Sequence, residues 1–197
     1  MNKNRLEAFS DGVLAIIITI MVLELKVPHG ETLADLKPIV PLFLSYVLSF
    51  IYVGIYWNNH HHLLQAAHHV NGPALLANLH LLFWLSLLPV TTHWVGETYF
   101  AKIPVAIYGI ILLLAGLAYT ALVRILIAFH GNGSPLAVAI GSNIKSYLSL
   151  FVYLLAVGVA FFEPLIAFGM YCLVAAVWII PDRRIEKLFI SQSTIKH

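Results

Sequence analysis

The sequence predicts an all-α membrane protein, a single domain over 1–197 with six transmembrane helices, and three observations carry that reading. Of 197 residues 60% are hydrophobic and only 10% are charged, far outside soluble composition. Most apolar segments lack the polar face that a helix of a soluble bundle keeps. They also lack the period-two alternation of a membrane barrel, and because backbone amides in lipid must be satisfied within the segment, helices remain as the spanning elements.

The spans fall at about 7–27, 39–64, 74–95, 103–128, 143–162 and 165–181. Pro28, His29 and Gly30 end the first, and Asn71, Gly72 and Pro73 precede the third. Pro104 opens the fourth, the run HGNGSP from His130 to Pro135 separates it from the fifth, and Glu163-Pro164 makes the last connection tight. Asp11 near the start of the first apolar run, with no small-x-small site before Lys26, argues against a cleavable signal peptide. The single cysteine, Cys172, excludes an intramolecular disulfide. A net charge of +2 without a basic, aromatic-interleaved patch gives no reason to expect nucleic acid as a partner.

An even number of spans puts both termini on one side. That side collects Lys3, Arg5, Arg124, Lys145, Arg183, Arg184, Lys187 and Lys196 against Lys26, Lys37 and Lys102 opposite, so both termini are expected in the cytoplasm and the protein in the cell membrane. Glu24, Glu31, Asp35, Glu97 and Glu163 gather on the outer side, where they would either enrich cations at a mouth or remain solvated loop charge.

The first span sets the functional expectation. Its charge-free run from Gly12 to Leu23 covers only about 18 Å of a hydrocarbon core of about 30 Å, so spanning draws Asp11 or Glu24 towards the apolar zone. Ionisable groups at that depth face protein or water. At about 100° per residue Gly12, Ile16, Thr19 and Leu23 share one narrow stripe, which Arg5 and Lys26 extend, while Ser10 and Asp11 point towards neighbouring helices.

Arg5, Phe9, Ser10 and Asp11 form R-x-x-x-F-S-D at the start of this helix, which resembles the signature of the lysosomal potassium channel family, the transmembrane protein 175 family. A run of Trp57, Asn58, Asn59, His60 and His61 is similar to that family's second-helix pattern, and Asn78 with Leu82, Leu87, Leu88, Pro89 and Thr91 to its asparagine-bearing third helix. The resemblance covers about the first half of the chain. It implies a homotetramer in which each first helix lines a central pore, with Ile16 as the narrowest hydrophobic ring.

The second span ends in YWNNHHHLLQ, Tyr56 to Gln65, followed by His68 and His69. Consecutive histidines diverge by about 100° each, and His61 with His68 lacks a carboxylate nearby in sequence, so a metal site is poorly supported. No histidine box of a membrane oxygenase appears, His80 and His93 included. An anchoring network fits better: Trp57, Asn58, His60, His61 and Asn78 would hold Arg5, Phe9, Ser10 and Asp11 at the cytoplasmic end. Several histidines there would also make activity pH-sensitive.

The expected function is a potassium-selective cation channel, not an enzyme, with no tightly bound metal or cofactor and K⁺ as the permeating ion. It has no T-V-G-Y-G filter, arginine ladder or P-loop lysine, so selection would fall to the ring side chains of Ile16, Thr19 and Leu23. The alternative is a proton-coupled secondary cation transporter using Asp11, Glu24 or Glu163 as the titrating group.

Overall fold

The computed structural model describes residues 3–28, 30–67, 69–131, 133–140 and 144–179. His29, His68, Arg183, Arg184, Lys187, Lys196 and the ends of the last two expected spans, at 143 and 180–181, lie outside them.

Helix α1 runs Lys3–Leu23 rather than 7–27. Its 21 residues rise about 31 Å, enough to cross a bilayer core. It stops four residues early because the Leu25 amide folds back onto the Val22 carbonyl at 3.2 Å, and Pro28 pushes Val27 out of helical geometry. A 3₁₀ helix, Leu33–Ile39, follows; the Asp35 carboxylate closes its start by accepting from the Thr32 amide at 3.0 Å and the Thr32 hydroxyl at 2.6 Å. It leads into α2, Val40–Ala66, where Pro41 sits in the first turn and so removes no intrahelical donor.

The third expected span is two helices, α3 at Gly72–Ser86 and α4 at Leu88–Glu97. Asn71 caps α3 by accepting from the Ala74 amide at 3.0 Å. The break at Leu87 follows from Pro89, which has no amide to offer the Leu85 carbonyl and whose ring crowds it. Thr91 lies one turn on and donates at 3.2 Å to the Leu87 and Leu88 carbonyls, satisfying backbone at a depth where water cannot. After α4 the chain turns through Tyr99 and Phe100 at positive φ, with the Phe100 amide reaching the Val95 carbonyl at 2.9 Å.

Helix α5, Lys102–His130, ends at Gly131, whose φ of 89° suits glycine. A short helix, α6 at Pro135–Ile140, occupies a stretch the sequence left as linker. Helices α7, Ile144–Ala160, and α8, Pro164–Ile179, are joined by the tight Phe161 to Glu163 turn. Among the described residues, four helical stretches are long and apolar enough to cross a membrane: Lys3–Leu23, Leu33–Ala66, Gly72–Glu97 and Lys102–His130. The shorter α7 and α8 are also predominantly apolar.

Packing centres on α5, which lies against α3, α4, α7 and α8, while α1 packs mainly on α2, α3 and α4. Gly96 lets α4 approach α2, since a Cβ there would lie 2.4 Å from the Leu42 Cα. Gly109 likewise admits the Tyr171 ring between α5 and α8. Gly96→Val is expected to cost about 1–3 kcal/mol of stability by overpacking. The check is the unfolding midpoint of the detergent-solubilised protein, and an unshifted midpoint would mean the two helices do not approach so closely.

Candidate functional site

Helix α1 presents two unlike faces. Leu6, Ser10, Leu14, Ile17 and Met21, three or four residues apart, are buried against the rest of the chain. Arg5, Phe9, Gly12, Ile16, Thr19 and Leu23 lie on the opposite side and are exposed, Ile16 at 60% and Leu23 at 76%. The expected stripe is thus one continuous face that nothing among the described residues covers. The Thr19 hydroxyl donates to the Ala15 carbonyl at 2.8 Å. Its proton is spent on backbone, and the oxygen faces outward as an acceptor.

Behind this face a buried polar chain crosses three helices. Ser10 Oγ donates to the Leu6 carbonyl at 2.9 Å and therefore accepts from Asn78 Nδ2 at 3.0 Å. Asn78 Oδ1 in turn faces His60 Nε2 at 2.7 Å, which must carry the ring proton. The other ring nitrogen, Nδ1, is buried and has no hydrogen-bond partner among the described residues. Ser10 and Asn78 are fully buried and His60 is 2% exposed, so each partner satisfies a group that would otherwise be desolvated.

Around that chain α1 and α2 run antiparallel as a ladder of one turn per rung. Lys3 Nζ donates to the Gln65 carbonyl at 3.5 Å, Glu7 Oε1 accepts from His61 Nδ1 at 2.9 Å, and Asp11 Oδ1 accepts from Trp57 Nε1 at 3.1 Å. Four residues up one helix meet four residues down the other, the geometry of facing i, i+4 rows. Trp57 also stacks on His61, 6.1 Å between centroids and 19° between planes. Lys3 caps the last carbonyls of α2, reaching Ala67 at 3.3 Å.

The structure therefore joins Ser10, Asp11, Trp57, His60, His61 and Asn78. Arg5, Phe9 and Asn58 stay out of this network; all three are exposed, and Arg5 and Asn58 make no hydrogen bond or ion pair among the described residues. Sequence reasoning missed Glu7, which supplies His61 with the carboxylate that is absent nearby in sequence but 54 residues away along the chain. Its place one turn before Asp11 was the available signal. It also missed a second buried layer, where Ser49 Oγ lies 2.6 Å from Thr92 Oγ1 and 2.9 Å from the Tyr108 hydroxyl.

At the opposite end Lys26 pairs with Glu97 at 3.0 Å, and Glu24 Oε2 lies 3.3 Å from His93 Nδ1, close enough for charge pairing with a protonated ring but outside hydrogen-bond geometry. Both contacts are exposed, so each contributes little alone. Asp11 is half-buried within α1, more than two turns past its start, while Glu24 and Glu163 are exposed at turns. Among the described residues no carboxylate is buried.

Long apolar helices, buried polar links between them and one uncovered helix face define a multi-pass helical membrane protein. The family described as endosomal/lysosomal potassium channel TMEM175 matches residues 5–89. A potassium channel of Chryseobacterium sp. strain P1-3 is 60% identical over 187 residues, which cover 95% of this chain and 97% of that one. A potassium channel of Streptomyces collinus is 33% identical over 131 residues, 62% of this chain and 64% of its own. The crystal structure of a lysosomal potassium-selective channel TMEM175 homolog from Chamaesiphon minutus superposes with a TM-score of 0.79 at 25% identity, covering 90% of this chain and 96% of that one. The chain belongs to the TMEM175 family.

Asn78→Leu is expected to strand the His60 proton and the Ser10 oxygen in an apolar interior, costing about 2–5 kcal/mol. The thermal midpoint in detergent reads this directly. Full stability in the variant would reduce the chain of hydrogen bonds to incidental contacts.

Proposed function

We propose that this protein is a potassium-selective cation channel of the cell membrane, a homotetramer of six-span subunits with both termini cytoplasmic, in which the exposed face of α1 lines a central pore. The observation that carries the reading is that face itself. A helix anchored on one side by buried hydrogen bonds leaves Gly12, Ile16, Thr19 and Leu23 uncovered on the other, on a stripe that also carries Arg5. Lipid tails suit Ile16 and Leu23 but offer nothing to the Thr19 oxygen, whereas copies arranged about an axis enclose all of them along one path. The naming of relatives as potassium channels supports the same choice.

In this arrangement the four Ile16 side chains form the tightest ring and close the path by dewetting when they approach. A K⁺ ion passing an apolar ring sheds part of its water shell, and Na⁺, more tightly hydrated, pays more to do so. Thr19 lies three residues further along the stripe, and its hydroxyl proton is already held by Ala15, so four oxygens present lone pairs to a partly dehydrated cation. No T-V-G-Y-G carbonyl filter, resident metal or cofactor takes part, and no chemical step is catalysed. Trp57, His60, His61 and Asn78 act indirectly by fixing the rotation of α1 through Glu7, Ser10 and Asp11. Glu24 and Glu163, exposed at turns, suit outer-mouth roles, and Asp11, half-buried within α1 and accepting from Trp57, suits an anchoring role better than that of a carrier's titrating group.

The test is K⁺ against Na⁺ flux into liposomes holding the purified protein. Downhill, K⁺-preferring flux is expected, with Ile16→Asn leaky and at least severalfold less selective. Conduction unchanged by Ile16→Asn would remove that residue from the pore, and flux that requires an imposed proton gradient would favour a carrier. Thr19→Val, nearly isosteric, is expected to lower the K⁺ over Na⁺ permeability ratio while the tetramer stays intact on size-exclusion chromatography. An unaltered ratio would make Thr19 a packing residue.

A further inference from the structure

Away from α1, a small, partly open cleft lies between α2, α5, α7 and α8. Its lining is mixed: Leu150 and the rings of Tyr56, Tyr119 and Trp178 supply apolar walls, and Asn59 and Ser146 add polar atoms. Most of this polar rim is tied back to the protein, the Asn59 side-chain amide donating to the Ile55 carbonyl at 2.8 Å. Tyr119 donates to the Asn59 carbonyl at 3.2 Å, and Trp178 Nε1 donates at 2.8 Å to Ser149, which itself donates to the Lys145 carbonyl. The Tyr56 hydroxyl and Ser146 have no hydrogen-bond partner among the described residues, although Tyr56 is only 8% exposed.

All these residues sit towards one end of their helices. Asn59 lies in the last third of α2, Ser146 in the first turn of α7 and Trp178 in the last turn of α8, the end at which α1 begins. Two cations stand there. Arg124 lies one turn beyond Thr120 on α5 and is held across to α7 by the Tyr147 hydroxyl, its guanidinium 5.7 Å from the centre of the Tyr147 ring. Lys145 is half-buried in the first turn of α7. Neither is paired with a carboxylate among the described residues. The exposed residues of α7, including Leu148, Phe151 and Leu155, are apolar, which suits a helix at the lipid boundary.

We infer that this cleft binds an anionic phospholipid of the cytoplasmic leaflet, one acyl chain lying along Tyr56, Leu150 and Trp178 and the phosphate meeting Arg124 and Lys145. The occupant follows from the chemistry: a largely apolar slot, two hydroxyls without partners among the described residues at the glycerol level and two bases without a carboxylate partner among the described residues at the headgroup level. Tyr and Trp flanking such a slot are the side chains that accept a polar–apolar boundary. The inference rests on the membrane orientation proposed above.

The experiment reconstitutes the full chain in phosphatidylcholine vesicles and titrates in brominated phosphatidylglycerol or brominated phosphatidylcholine. The readout is the part of the tryptophan emission that Trp178→Phe removes. Brominated phosphatidylglycerol is expected to quench it saturably at a roughly tenfold lower mole fraction than the zwitterionic lipid. The double variant Arg124→Gln with Lys145→Gln is expected to erase that difference, and Lys145→Gln alone to reduce it partway. Equal midpoints for the two lipids in the unaltered protein, or a preference that survives the double variant, would overturn the lipid site and leave the channel reading standing. No quenching by either lipid would take α8 out of the bilayer, overturning both the site and the proposed orientation.

Discussion

The structure depends on the hydrogen-bonded chain Ser10–Asn78–His60, which fixes how α1 is turned against α2 and α3. In an apolar interior, leaving one of these groups unpaired costs more than the net gain from pairing it, so the chain acts less as glue than as a rotational key. A helix rotated by one residue, about 100°, would strand the Ser10 oxygen, the Asn78 amide and the His60 proton together. The same rotation would turn Ile16 and Thr19 away from the face they now share. Burial on one side of α1 and exposure on the other are therefore one constraint seen twice.

The outer ladder has a different character. Lys3 with the end of α2, Glu7 with His61 and Asp11 with Trp57 lie in partly exposed surroundings, where each contact contributes little energy but the regular one-turn spacing sets the register of α1 along α2. At the other end Thr92, buried on α4, meets Ser49 and Tyr108 and lies against Met21 of α1. The break at Leu87 matters here, because it changes the course of the third passage between Asn78, which touches α1 near its start, and Thr92, which touches it near its end. Pro89 causes the break, and Thr91 supplies the hydrogen bonds that make it tolerable within an apolar stretch.

Much of the fold was legible because apolar length and Gly/Pro punctuation are local properties. The helices appear near the expected positions, and the errors have local causes too: α1 is displaced towards the N-terminus, with Pro28 and a tightened last turn ending it early, and the third passage splits where a proline interrupts an otherwise strong hydropathy pattern. The stripe of Gly12, Ile16, Thr19 and Leu23 was also legible, since spacing along one helix fixes which side chains share a face. Family membership was readable from the polar residues that interrupt the first three helices. Glu7 was not, because a glutamate one turn inside a helix start resembles any solvated end residue until His61 is placed beside it. The Ser49–Thr92–Tyr108 layer was likewise hidden, each member being a single hydroxyl on a different helix.

Sequence alone thus determined that this is a helical membrane protein of the TMEM175 family and which residues of α1 lie together, because composition, period and motif are written along one strand of chain. Only the tertiary structure decided which of the polar residues meet. It joined Asn78 to Ser10 and His60, gave His61 to Glu7 and Trp57 to Asp11, and left Arg5, Phe9 and Asn58 outside. The reason is physical: a buried donor is satisfied by whatever acceptor packing brings within about 3 Å, and that choice rests on helix rotation and register, which no single segment contains.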